Sequence, residues 1–167
     1  TRLGIGLQHL LQNVEPQKRT IWIHALSVGE VTSALPLAAT LRDELEDTEI
    51  VFSASTKTGY ALAQRILSPY CRAIIPSPLD LLPVCRYYIK SIKPDIFILV
   101  ETDFWPNFLH QLQRRNIPIL LVNGRISAKS MAQYNRYGFF FKPMFHTLSR
   151  LCVQTESDRQ RFGDLGV

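Results

Sequence analysis

The 167-residue sequence has one rhythm from end to end: short apolar runs rich in Ile and Val alternate with longer segments of helical period. The run Ile96-Phe97-Ile98-Leu99-Val100 is the most constraining piece of it. Alternating apolar and polar residues mark a strand with one wet face, whereas an unbroken apolar run marks one covered on both. The pattern predicts strands at 20–26, 49–55, 72–75, 95–101, 117–123 and 150–154. Helices are predicted at 31–46, 59–67, 81–91, 105–115, 130–148 and 157–165, with a short helical pattern around 7–11. Strand and helix in strict turn predict an α/β domain, a parallel sheet with helices on both faces. Pro36, Pro83 and Pro106 are expected in the opening turns of their helices, where a missing N–H costs little. Pro143 falls inside 130–148, so that segment is expected to be kinked or split, with Gly138 supporting a break.

Composition narrows the class. With 46% hydrophobic residues the chain is too apolar to be disordered, and its length suffices for a real core. No apolar run approaches the roughly 18 residues of a membrane-spanning helix. Thr1-Arg2-Leu3-Gly4 shows no signal peptide. Cys71, Cys85 and Cys152 are odd in number, widely spaced and without a C-x-x-C pair, so neither a disulfide framework nor a zinc site is expected; all three are read as buried or half-buried hydrophobes. The 19 Lys and Arg against 14 Asp and Glu leave +5, scattered along the chain. That surplus permits an anionic partner without choosing among nucleic acid, membrane and phosphorylated substrate. A chain that starts at Thr1 and ends at Val167 directly after a helical pattern is read as one domain of a longer protein.

In an open parallel sheet, ligands bind beyond the carboxyl ends of the strands. Following the predicted strands stand Ser27-Val28-Gly29-Glu30, Ser55 to Gly59, Pro76 to Asp80, Glu101 to Asn107, Asn123 to Ser127 and Gln154-Thr155-Glu156. Hydroxyls, acids and amides concentrate there, and part of this is ordinary N-capping, expected of Thr58, Asp80 and Asp103. Glu30, at a helix start, is either a partner of the helix dipole or a general base. Glu101 closes a very apolar strand, where a hydrogen-bonded carboxylate would fix the neighbouring loops. A lone Gly29 is no G-x-G-x-x-G, and there is no Walker sequence, which argues against a nucleotide-binding oxidoreductase. His24 is read as a satisfied core histidine, and His9, His110 and His146 as surface. The aromatic run Tyr137 to Phe141, flanked by Arg136 and Lys142, is either core or a lipid-facing patch.

Taken in register, these stretches resemble a known family. Ile21-Trp22-Ile23-His24-Ala25-Leu26-Ser27-Val28-Gly29-Glu30-Val31 and Glu101-Thr102-Asp103-Phe104-Trp105-Pro106-Asn107 are similar to the amino-terminal domain of 3-deoxy-D-manno-octulosonic acid (Kdo) transferases. Thr56-x-Thr58-Gly59, Pro78-x-Asp80, Asn123-x-Arg125-x-Ser127-x-x-Ser130 and Gln154-x-x-x-Asp158-x-x-Arg161-Phe162 resemble further motifs of that family, in order along nearly the whole chain. Asp103 and Phe104 depart from the family's E-T-E-L-W-P-N, and Gly124 stands where Ala is common.

The resemblance implies a metal-independent, inverting GT-B glycosyltransferase of Gram-negative lipopolysaccharide synthesis. This chain would be its Rossmann-like, acceptor-binding amino-terminal half, and a separate carboxy-terminal half would hold CMP-Kdo. Kdo would pass from CMP-Kdo to the lipid A precursor at the cytoplasmic face of the inner membrane, with the anchor upstream of Thr1. No metal or cofactor is expected, and no nucleic acid partner. The resemblance makes Glu30 the general base, with Glu101 as a supporting acid. Ser27, Gly29, Thr56, Asn107 and Ser127 are expected to contact the acceptor, and position and charge make Arg125 and Lys129 candidates for its phosphates. The rival reading is a non-catalytic membrane or partner-binding module, in which the edge acids would be dispensable.

Overall fold

A computed structural model describes residues 1–15, 17–101 and 104–166, with backbone only at 128, 135, 140 and 142. After a short helix α1 (Leu7–Leu10) the chain alternates as expected. The strands are β1 (Arg19–Ala25), β2 (Thr48–Ala54), β3 (Ala73–Pro76), β4 (Ile96–Val100), β5 (Ile119–Gly124) and β6 (Arg150–Val153). The helices between and after them are α2 (Val28–Glu44), α3 (Lys57–Ile66), α4 (Leu82–Ile92), α5 (Pro106–Gln113), α6 (Ala128–Arg136), α7 (Gly138–Phe145) and α8 (Glu156–Asp164).

All six strands are parallel, in the order β3-β2-β1-β4-β5-β6. The order reverses between β1 and β4, which makes the crevice above their carboxyl ends the topological switch point. Alternate residues of the strands from β1 to β5 feed two apolar layers. Trp22, Phe97, Leu99 and Leu121 pack under α1, α4, α5, α7 and α8. Ile21, Ile23, Phe52, Ile98 and Val100 pack under α2 and α3. Helices therefore cover both faces, as the unbroken apolar strands require.

Several local expectations need correction. Pro36 lies in the middle of α2, because the helix starts at Val28 rather than at 31. Thr32 and Ser33 nearby turn their hydroxyls onto the carbonyls of Val28 and Glu30. The 130–148 segment is two helices, split as expected next to Gly138, which opens α7, and Pro143 lies inside α7 rather than at the break. Cys71 and Cys85 are buried, whereas Cys152, on the edge strand β6, is exposed. Phe139 is 86% exposed, while Phe141 packs onto Tyr134 with ring centroids 4.9 Å apart. The run thus faces both ways, and the side chain of Phe140 lies outside the described residues. At Gly124 a β-carbon would come within 2.9 Å of Leu121 Cδ2, so here glycine accommodates the leucine beneath it.

Candidate active site

Four loops at the carboxyl edge share one construction. Ser27, Thr56, Ser127 and Thr155 each sit in extended backbone and accept the N–H three residues on, opening α2, α3, α6 and α8. Thr56, not Thr58, is therefore the cap of α3. Asp80 caps as expected, but it caps a helix that is not its own. Its carboxylate accepts the backbone N–H groups of Asn107 (3.2 Å) and Phe108 (2.8 Å), closing the start of α5. Asp103 lies outside the described residues.

Glu30 is 7% exposed, in the first turn of α2. Its carboxylate accepts the N–H of Leu26 and, at 3.2 Å, the hydroxyl of Ser27. The Leu26 carbonyl in turn accepts the N–H of Thr56 at 3.1 Å, so the β1–α2 loop is braced against the β2–α3 loop. These bonds fix the direction of the carboxylate. Nearby Gly29 is exposed, and a β-carbon there would meet nothing closer than Ser27 Oγ at 4.0 Å, so the approach over the helix start is open.

On the other side of the switch point, Glu101 adopts the left-handed φ of 61°, and Asn123, at the end of β5, adopts 57°. Such backbone is costly for a non-glycine residue and clusters at functional edges. Arg125 Nη2 stands 3.5 Å from Glu101 Oε2, with the arginine side chain 63% exposed. The loops after β4 and β5 are thus joined by an ion pair that leaves most of the guanidinium in solvent.

The structure therefore groups Ser27, Gly29, Glu30 and Thr56 on one side of the switch point. It groups Glu101, Arg125, Ser127 and Lys129 on the other, with Lys129 exposed on the first turn of α6. Asn107 belongs to neither group. Its side-chain N–H groups are spent on Asp80, at 2.9 Å to the carbonyl and 3.3 Å to the carboxylate, so its contact clamps the start of α5 to the β3–α4 loop. Among the described residues no three His, Cys, Asp or Glu are placed to hold a metal ion. Burial pushes the thiols of Cys71 and Cys85 up to about 12, for Cys85 with the Asp80 carboxylate adding to the effect. Neither is a nucleophile at neutral pH.

Comparison with known proteins identifies the family. The model of the 3-deoxy-D-manno-octulosonic-acid transferase (kdotransferase) family matches residues 1–167. The chain belongs to this family. It is 33% identical over 153 residues to 3-deoxy-D-manno-octulosonic acid transferase of Haemophilus influenzae, covering 90% of this chain and 35% of that protein. The enzyme of the same name from Chlamydophila psittaci is 29% identical over 165 residues, covering 99% of this chain and 38% of its own. The chain thus spans little more than a third of these relatives. Among solved structures, a putative UDP-N-acetylglucosamine 2-epimerase from Listeria monocytogenes superposes with a TM-score of 0.62 at 12% identity, over 90% of this chain and 43% of that one. MurG of Acinetobacter baumannii superposes with 0.58 at 14% identity, over 84% and 42%. At such identities these neighbours speak for the fold alone, the Rossmann-like amino-terminal half of a GT-B protein.

Two features of this Kdo transferase family domain lay in the sequence unread. Ser27-x-x-Glu30 is a capping-box spacing, which predicts both the helix start at Val28 and the reach of Glu30 back over the loop. Thr155-x-x-Asp158 repeats the spacing. Asp158 is buried, accepts the hydroxyl of Thr155 and the N–H of Ile126 (2.9 Å), and stands 3.6 Å from Arg161. The Thr155 and Ile126 bonds and the Arg161 charge hold its carboxyl below the usual carboxylate range. A third feature needed the sheet register: His24, on β1, is 2% exposed and stands 2.8 Å from Ser53 Oγ and 3.5 Å from Ser55 Oγ. It is the satisfied core histidine expected, tied into a hydroxyl chain across β1, β2 and the loop after β3, since Ser55 continues to Ser77 at 2.9 Å.

Proposed function

We propose that this chain is the acceptor-binding domain of a Kdo transferase, which passes Kdo from CMP-Kdo to the lipid A precursor with inversion at the anomeric carbon. The observation that carries this reading is the position of Glu30. An acid held by Leu26 N–H and the Ser27 hydroxyl beside the switch point is preorganised to take the proton of an incoming sugar hydroxyl. CMP is already a good leaving group, so a base for the acceptor and a few cationic donors suffice, and the reaction as proposed draws on no metal or cofactor. Glu101, held by Arg125 of the neighbouring β5–α6 loop, supports the acceptor pocket rather than the proton transfer. A second domain, outside residues 1–167, holds CMP-Kdo.

The enzyme works at the cytoplasmic face of the inner membrane. No helix among the described residues is long and apolar enough to cross a bilayer, so the anchor belongs to another segment. The reading is tested with the full-length protein supplied with CMP-Kdo and lipid A precursor, products being read by mass spectrometry. A Kdo-bearing lipid is expected; a protein that leaves both substrates unchanged contradicts it. Substitutions at the CMP-Kdo site are expected to map outside residues 1–167. Loss of CMP-Kdo affinity from a change in this domain, with acceptor affinity intact, would refute the division of labour.

A further inference from the structure

Among the described residues, His24 is the last of β1 in register with both neighbouring strands: it stands opposite Ser53 of β2 and Leu99 of β4. The register with β2 runs on to Ala25, whereas that with β4 stops. At the switch point the end of β1 therefore takes its place from β2. The main chain supplies two ties, from Ser55 N–H to the Ala25 carbonyl and from Thr56 N–H to the Leu26 carbonyl, each 3.1 Å long. The His24 side chain adds another, through Nδ1 to Ser53 Oγ at 2.8 Å. Trp22 Nε1, which can only donate, occupies the same Ser53 oxygen at 2.8 Å. The Ser53 proton is then left for His24 Nδ1, because the Ile23 carbonyl stands farther away at 3.5 Å. His24 and Ser53 are both buried, in a layer built otherwise of Trp22, Phe97 and Leu99. Burying polar groups there costs free energy that apolar side chains would not. What the pair supplies is direction, since apolar contacts are non-directional and a short hydrogen bond is not.

We infer that His24 is a positioning residue for Glu30: by tying the end of β1 to Ser53 it sets the direction of the Leu26 N–H, one of the donors that aim the Glu30 carboxylate. The inference rests on the reading of Glu30 as the base and adds to it what holds that base in place. Only 2% exposed, His24 acts through two residues of backbone rather than on the acceptor. The leverage is large, because a displacement of about 1 Å at a reacting group is worth roughly 10²-fold in rate.

The test is a double-mutant cycle in the full-length protein, read by single-turnover Kdo transfer with both substrates saturating. His24→Leu leaves Ser53 paired with Trp22 and Ser55 with Ser77, so thermal stability should stay within a few degrees of wild type. The rate should fall at least about tenfold, with the affinities for lipid A precursor and CMP-Kdo unchanged. His24→Asn, whose Oδ1 stands where Nδ1 stood and accepts the same Ser53 hydroxyl, should recover most of it. In a Glu30→Gln background His24→Leu should cost less than about a further twofold, because the group it positions is gone. Equal factors in the two backgrounds, no recovery in His24→Asn, a rate unchanged by His24→Leu, or a loss of affinity instead of rate each overturn the inference and leave His24 a core residue. A Glu30→Gln rate near wild type is a separate failure: the base reading falls, and the positioning of that base with it. Should His24→Leu not fold, Ser53→Cys carries the same cycle, keeping the shape while offering His24 only a weak donor.

Discussion

Ser27-x-x-Glu30 and Thr155-x-x-Asp158 open α2 and α8 with the same spacing, the same capping hydroxyl and a buried acid in the third helical position. They differ in what the acid reaches. Asp158 extends to Ile126, 32 positions away, and to the Arg161 guanidinium, so it fastens one loop of the edge to another. Glu30 turns back over its own loop to accept the Leu26 N–H and the Ser27 hydroxyl, at the point where the strand order reverses. One motif therefore stands in two settings: on the β5–β6 side it fastens two loops together, and at the switch point it holds the carboxylate proposed as the base.

The contrast is sharpest in variants that keep shape and remove charge. Glu30→Gln retains the capping box, which accepts Gln as readily as Glu. It should melt within a few degrees of wild type yet lose a factor of about 10² to 10⁴ in Kdo transfer. Asp158→Ala should do the reverse. Removing hydrogen bonds to a buried charged group costs about 1.5–3 kcal/mol in denaturant unfolding, while turnover per folded molecule changes little.

The same pair separates with pH. The native Asp158 carboxyl ionises at lower pH than in the unfolded chain, so its contribution is complete above the unfolded value of about 3.9 and is lost as pH falls through the native one. Asp158→Asn should accordingly flatten the acid limb of the stability curve below about pH 4. Ser27→Ala and Thr155→Ala should each cost about 1 kcal/mol as lost caps. Only the first should also slow transfer, because only there does the hydroxyl direct the base. Equal kinetic effects would erase the distinction between the two motifs.

The fold was legible because it depends on long-wavelength pattern: short Ile- and Val-rich runs such as Ile96–Val100, spaced by helical segments, read as buried strands, and the ligand edge follows from the order of strand and helix. Helix starts were less so. Capped by Ser27 and Thr56, α2 and α3 start three and two positions earlier than apolar periodicity suggests, and the shifted start leaves Pro36 inside α2. The partners of Asp80, Arg125 and His24 were not legible, because each lies on a different strand's loop or on a neighbouring strand. Asn107 illustrates the limit. Its place at the ligand edge is written in the sequence, whereas the hold of its side-chain N–H groups on Asp80 depends on the β3–α4 loop beside it.

The central claim is that Glu30 moves a proton rather than merely capping α2. It is tested most directly by the single-turnover rate of Kdo transfer in full-length Glu30→Gln, with both substrates saturating so that binding drops out. A rate at least 10²-fold below wild type, with unchanged acceptor affinity and thermal stability, is the predicted result. A rate near that of wild type would contradict it and leave Glu30 a capping residue like Asp158.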